Sequence, residues 1–133
     1  MERYSPGQVA EQTGFSLDTL RYYERIGLLL DDIARNSGGQ RVFTEEDVAW
    51  LRILRCLRDT GMPIQRMVRY AELARGGEET MAERLEVLRE HDRDIDAKIA
   101  HLRVEQEHIR AKIAHYQREV TDRGLPAAPV SPA

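Results

Sequence analysis

Arg21, Tyr22 and Arg25 stand at i, i+1 and i+4, close enough on a helix to share its exposed side. A guanidinium reads a guanine edge or grips phosphate through paired hydrogen bonds. A phenol bonds phosphate or packs on sugar and base. Arg35 and Arg41 flank the turn-forming cluster Asn36-Ser37-Gly38-Gly39, which would make a cationic second element beside that helix. An ordinary solvated surface helix would carry the same residue types, so the setting must decide. The other reactive side chain is Cys56, the only cysteine. A lone cysteine is either a small buried hydrophobe or, with cations nearby, a thiolate nucleophile. Cys56 flanks an apolar helix face, which allows partial burial, yet Arg52 lies one turn earlier and Arg55 and Arg58 are close in sequence. Both readings stay open.

Other chemistries find little support. There are no paired carboxylates, no nucleophile–base set and no phosphate-cradling glycine loop, so no enzyme is expected. One cysteine excludes a multi-thiolate zinc site and an intrachain disulfide. His101, His108 and His115 recur every seven residues, roughly 10 Å apart in helical rise, too far to share an ion. Neither metal nor cofactor is expected.

The elements that would position these residues follow from punctuation. Ser5-Pro6-Gly7-Gln8 opens a helix with a capping box and proline in the first turn; Val9 and Ala10 face inward and Gly14 stops it. Ser16 caps a second helix, with Asp18 in its first turn, Leu17, Leu20 and Tyr23 inward, and an end near Gly27. Two short helices around a glycine turn form a helix-turn-helix. Residues 28–43 lack helical periodicity and read as a short hairpin, hence a winged arrangement. A third helix starts at Thr44 with Val48, Leu51, Leu54 and Leu57 inward and closes at Gly61. Pro63 opens a fourth, carrying Ile64, Met67, Val68, Ala71 and Leu73.

After Gly76-Gly77 a further capping box, Thr80-Met81-Ala82-Glu83, precedes about forty residues without Gly or Pro. With Leu85 at heptad position a, the a/d positions hold Leu85, Leu88, Ile95, Ile99, Leu102, Ile109, Ile113, Tyr116 and Val120. Asp92 and Gln106 interrupt the series. So narrow a stripe over roughly 60 Å needs a partner helix, most simply a second copy. The expected organisation is a head at 1–75, a coiled-coil dimerisation helix at 78–121 and a disordered Pro-rich tail at 122–133.

The 133 residues suit one domain or a small head with an appended helix. Net charge is −3, but residues 1–43 carry 5 basic and 6 acidic groups and residues 44–75 carry 6 and 5. Residues 76–133 carry 9 and 12. The near-neutral front half uses only arginine, and both lysines, Lys98 and Lys112, lie late. Such a head binds nucleic acid if its arginines share a face. With no long apolar run and no leader-like start, a cytoplasmic protein without membrane contact is expected.

The runs Tyr4-Ser5-Pro6-Gly7-Gln8-Val9-Ala10, Thr19-Leu20-Arg21-Tyr22-Tyr23-Glu24 and Gly27-Leu28-Leu29 resemble the head of MerR-family transcription regulators. Arg35, Gly39, Arg41 and Phe43 match that family's wing. The resemblance extends from residue 4 to about 120. It implies a mainly α protein: a winged helix-turn-helix head followed by a long helix that joins a homodimer through an antiparallel coiled coil. It also implies binding to double-stranded promoter DNA whose spacer is too long for RNA polymerase, an indirect partner, until the loaded dimer distorts it. Metal-sensing relatives carry thiolates near the ends of the long helix, where this chain has none. Drug-binding relatives carry an extra C-terminal domain, for which 133 residues leave no room. The stretch from Cys56 to Ile64 resembles the NmlR/AdhR branch, whose members answer reactive aldehydes or nitrosative stress through one cysteine at this place.

The function expected is therefore a stress-responsive DNA-binding transcriptional regulator. Its DNA contacts would be Arg21, Tyr22, Arg25, Arg35 and Arg41, and its sensor Cys56. The alternative is a coiled-coil assembly protein whose head does not bind DNA.

Overall fold

The computed structural model of the chain describes residues 3–129. Its elements are β1 (Arg3–Tyr4), α1 (Pro6–Thr13), α2 (Leu17–Arg25), β2 (Ala34–Arg35), β3 (Arg41–Thr44), α3 (Glu45–Asp59), α4 (Ile64–Arg75) and α5 (Met81–Arg123). A 3-10 turn, Gly77–Thr80, precedes α5. The strands form one antiparallel sheet in the order β1-β3-β2. The fold is thus mainly α, a winged helix-turn-helix followed by a long helix.

Local chemistry sets most boundaries. The Ser5 hydroxyl accepts from the Gln8 amide at 3.2 Å while the Ser5 amide donates to Gln8 Oε1 at 2.8 Å. Thr44 and Asp47 exchange the same pair of bonds at the start of α3. Each box satisfies two amides that a helix start otherwise leaves without partners. Gly14 ends α1 at φ 76°, a left-handed conformation that a side chain would strain. At Thr80 the expected box is absent. Its hydroxyl donates instead to the carbonyls of Leu73 and Gly77, closing α4 rather than opening α5.

The compact head runs through His91, with residues from 92 onward forming a second unit. Val9, Phe15, Leu28, Phe43, Leu51, Leu54 and Met67 are the largest of its fully buried side chains. Val87 and Leu88 pack on this core and His91 is buried, so the opening turns of α5 belong to the head unit. Leu88 thus covers the head's own core, whereas Leu85 is exposed.

Trp50 and Tyr70, missing from the expected core, stack with ring centroids 5.4 Å apart and planes 8° from parallel. The Trp50 indole donates to the Leu28 carbonyl at 2.7 Å, and Arg75 Nη1 donates to the carbonyls of Gly27 and Leu29 at 2.9 and 2.8 Å. These bonds hold residues 27–29 against the core. The apolar run after α2 therefore feeds the head interior, and the hairpin is confined to residues 34–44. Strand β1 was not expected; it pairs Arg3 with Thr44 and Tyr4 with Phe43. Leu17 and Ile64, expected inward, are exposed.

In the second unit α5 continues to Arg123, and Ile99, Leu102, Ile109, Ile113, Tyr116 and Val120 are 39–66% exposed. Ile95 is half-buried. Residues 125–129 carry no regular element, and the last part of the expected tail, 130–133, lies outside the described residues. No helix among the described residues is long and apolar enough to cross a membrane.

Candidate nucleic-acid interface

Helix α2 is seated from its inner side. Ser16 caps it, accepting from the Thr19 amide at 3.1 Å. Leu20 and Tyr23 are buried, and Tyr23 meets Phe15 edge-to-face at 5.2 Å. With the inner face anchored, the outer face is fixed by helical geometry. It presents Asp18, Arg21, Tyr22 and Arg25, as expected, and also Leu17.

These side chains are lightly held. Arg21 approaches Asp18 at 3.6 Å, and the Arg21 side chain remains 61% exposed. An exposed pair of this kind contributes little, so Arg21 is free to exchange Asp18 for another acceptor. The Arg25 guanidinium lies 5.5 Å from the centre of the Tyr22 ring. That cation–π contact, worth about 0.5–1 kcal/mol at an exposed site, orders both groups without occupying the Arg25 donors.

The hairpin arginines are placed differently. Arg35 and Arg41 are directly opposite in the β2–β3 register, so two like charges face each other across the ladder. Each has a compensating acceptor. Arg35 Nη1 donates to the Gly39 carbonyl at 2.8 Å, bracing the turn. Arg41 Nε and Nη2 donate to the two Glu24 carboxylate oxygens at 2.8 and 3.4 Å. Both Arg41 and Glu24 are less than a third exposed, making this a bidentate tie between the hairpin and α2. Asn36 shapes the turn, its Oδ1 accepting from the amides of Gly38 and Gln40 at 2.9 and 3.0 Å.

Arg21, Tyr22 and Arg25 thus share one surface. Arg41 is joined to their helix, and Arg35 stands beside Arg41 on the hairpin.

Cys56 lies on α3 and is exposed, not partly buried. The three arginines near it in sequence have other acceptors. Arg52 reaches Gln12 at 3.5 Å. Arg55 bonds Asp59 at 3.1 Å and the Gly14 carbonyl at 3.0 Å, and Arg58 reaches the Tyr23 hydroxyl at 3.4 Å. Arg55 therefore braces the turn between α1 and α2 and Arg58 reaches α2 itself, roles that sequence proximity to Cys56 concealed. The Cys56 carbonyl accepts from the Thr60 hydroxyl at 2.7 Å, and Thr60 Oγ1 also lies 2.7 Å from His91 Nε2. His91 went unremarked because a histidine among charged residues gives no sequence signal of burial. Among the described residues no group of three His, Cys, Asp or Glu side chains is placed to hold a metal ion.

Comparison with known proteins bears directly on this surface. The family model of MerR HTH family regulatory proteins matches residues 4–73. An uncharacterized HTH-type transcriptional regulator of Haemophilus influenzae is 37% identical over 97 residues, covering 73% of this chain and 71% of the relative. The HTH-type transcriptional regulator AdhR of Bacillus subtilis is 38% identical over 81 residues, covering 61% of this chain and 57% of AdhR. Among solved structures, HiNmlR, a MerR family regulator lacking the sensor domain, bound to promoter DNA, superposes with a TM-score of 0.81. It is 34% identical, with 92% of this chain and 96% of that one covered. With the helix-turn-helix and hairpin in place and the family match spanning residues 4–73, the chain belongs to the MerR family of helix-turn-helix regulatory proteins.

Proposed function

We propose that this protein is a transcriptional regulator that binds promoter DNA as a homodimer and distorts the promoter spacer in response to an effector. The observation that carries the reading is the outward face of α2, where Arg21, Tyr22 and Arg25 stand exposed on a helix anchored by Leu20 and Tyr23. That face enters the major groove. The hairpin, with Arg35 and Arg41, reaches the adjoining backbone. The likeness to HiNmlR, itself bound to promoter DNA, supports the same use of the surface.

A second copy covers the apolar stripe of α5, holding two heads at the spacing of two half-sites. The bound dimer bends and untwists the DNA between them, so RNA polymerase is engaged indirectly, through the realigned promoter elements. Residues 1–75 supply the DNA-binding elements and 78–121 the dimerisation helix.

Cys56 is the proposed effector site, and a reactive aldehyde or another electrophile is the proposed effector. The similarity to AdhR supports the branch assignment. Exposure of Cys56 gives the electrophile access to the thiol. An adduct there enlarges the surface of α3 rather than the head's own core. Its effect is therefore exerted on whatever second surface covers α3 in the dimer.

Footprinting on DNA upstream of the protein's own coding region, with and without an aldehyde, tests the regulator. Protection of two half-sites, lost steeply as log salt rises, is expected. An assembly protein with a non-DNA-binding head would leave no footprint. Cys56→Ser should footprint like wild type but lose aldehyde-dependent transcription, because serine keeps the size and removes the thiol. A wild-type transcriptional response from Cys56→Ser would assign effector sensing elsewhere.

A further inference from the structure

On the otherwise charged and aromatic outer face of α2, Leu17 is 42% exposed. It occupies the first position of the helix, one turn before Arg21. Pro6, Leu17, Leu20 and Phe43 are the apolar lining of a recess of about 60 Å³, which Arg21, Glu24 and Arg41 also line. A recess of that size takes a methyl-sized group but not a base or a drug-sized ligand, which needs roughly 300 Å³ or more.

The neighbouring Asp18 carboxylate is 94% exposed on its side chain. A carboxylate in that position is repelled by phosphates. It is compatible with base edges, where cytosine and adenine offer amino donors. The start of α2 is therefore suited to base edges rather than to the backbone. The apolar group that a base pair presents in the major groove is the C5-methyl of thymine.

We propose that Leu17 is a specificity-determining residue that recognises a thymine, packing the C5-methyl against its side chain at the mouth of this recess. The assignment rests on the DNA-binding function proposed above and adds to it the identity of one base in each half-site. Contact with Leu17 removes a methyl from water, a discrimination of roughly fourfold against the same base without it.

The test uses the full chain. Wild-type protein selects from a library of random DNA duplexes at fixed salt. Each enriched thymine is then replaced singly by deoxyuridine, which deletes the methyl and keeps the pairing edge. At one position per half-site, uridine should weaken wild-type binding roughly fourfold. Leu17→Ala should bind the thymine duplex more weakly by a similar factor and show no response to uridine there. Leu17→Met, still apolar, should retain the response. Because Leu17 is exposed, both variants should keep wild-type helicity by circular dichroism, confirming that binding alone is altered. If every uridine effect is the same in Leu17→Ala as in wild type, the inference fails while the regulator stands. If the selection enriches no motif, the DNA-binding reading fails and the inference falls with it.

Discussion

Arg21 combines an exposed guanidinium with a weak internal partner, so removing it should affect DNA more than folding. Arg21→Ala should lower affinity for the selected duplex at least about fivefold, the lower end of the ~1–3 kcal/mol carried by one good bidentate contact. Helicity and oligomeric state should be unchanged. Gel-shift titration with circular dichroism checks both, and wild-type affinity would remove Arg21 from the contact set. Trp50 offers the contrasting case. Its indole is the donor to the Leu28 carbonyl, so Trp50→Phe keeps most of the ring but leaves that acceptor unpaired. The expected loss is about 1–3 kcal/mol of unfolding free energy, measured by urea titration, with little change in DNA affinity. The outward direction of Arg21 was legible because it follows from the inward Leu20 and Tyr23. The Trp50 bond joins residues 22 apart and had no local signature.

At the level of elements, capping chemistry within four residues was readable at three helix starts but not at Thr80, whose hydroxyl is taken by the carbonyls of Leu73 and Gly77. The starts at Ser5, Ser16 and Thr44 all formed as read. Direction at the first position of a helix was not readable in the same way. Leu17 opens α2 and Ile64 opens α4, and both lie at the edge of the packed layer, where periodicity sets a side but not a depth. Residues 28–30 were apolar enough for a strand, but the carbonyls of Leu28 and Leu29 are taken by Trp50 and Arg75 instead of a sheet partner. The junction of α3 and α4 also makes a pH prediction. Burial raises the Tyr70 phenol above its ordinary range, with Arg84 pulling weakly the other way. Below about pH 10 the phenol is neutral both folded and unfolded, and the stability it lends is fully present. Above that, the unfolded chain ionises first and the stability is progressively lost. Thermal unfolding between pH 9 and 11 should therefore fall more steeply for wild type than for Tyr70→Phe. Parallel curves would show that Tyr70 is not responsible.

For the whole molecule, a compact unit ending at His91 gives a natural place to divide the chain. A chain ended at Gly77 would lose Val87, Leu88 and His91 from the head, so poor DNA binding by that fragment would be ambiguous. Residues 1–91 should instead fold and be monomeric, whereas the full chain should be a dimer, by light scattering. The fragment should bind a full two-half-site duplex at least 10-fold more weakly, because the heads no longer share one tether. A stable dimer of 1–91 would place the interface within the head. The stripe that motivates this prediction was visible as a heptad pattern. The Leu88 contact with the head was not, because a heptad repeat cannot reveal which of its members already has a neighbour.

The Arg41–Glu24 tie turns DNA binding into an exchange of ions. If Arg41 leaves Glu24 for a phosphate, the DNA sheds a counterion, but the abandoned carboxylate recruits one from solution. The two changes nearly cancel, so Arg41 can contribute to geometry while scarcely registering in the salt dependence. Replacing the carboxylate with an amide removes the recruited ion. Glu24→Gln should therefore bind DNA more tightly at low salt. Its plot of log affinity against log salt should be steeper by about 0.9 for each head bound. An unchanged slope would mean that Arg41 keeps its carboxylate on the DNA. The hairpin would then be held by the protein's own charge pairing, and Arg41 would serve to aim the wing.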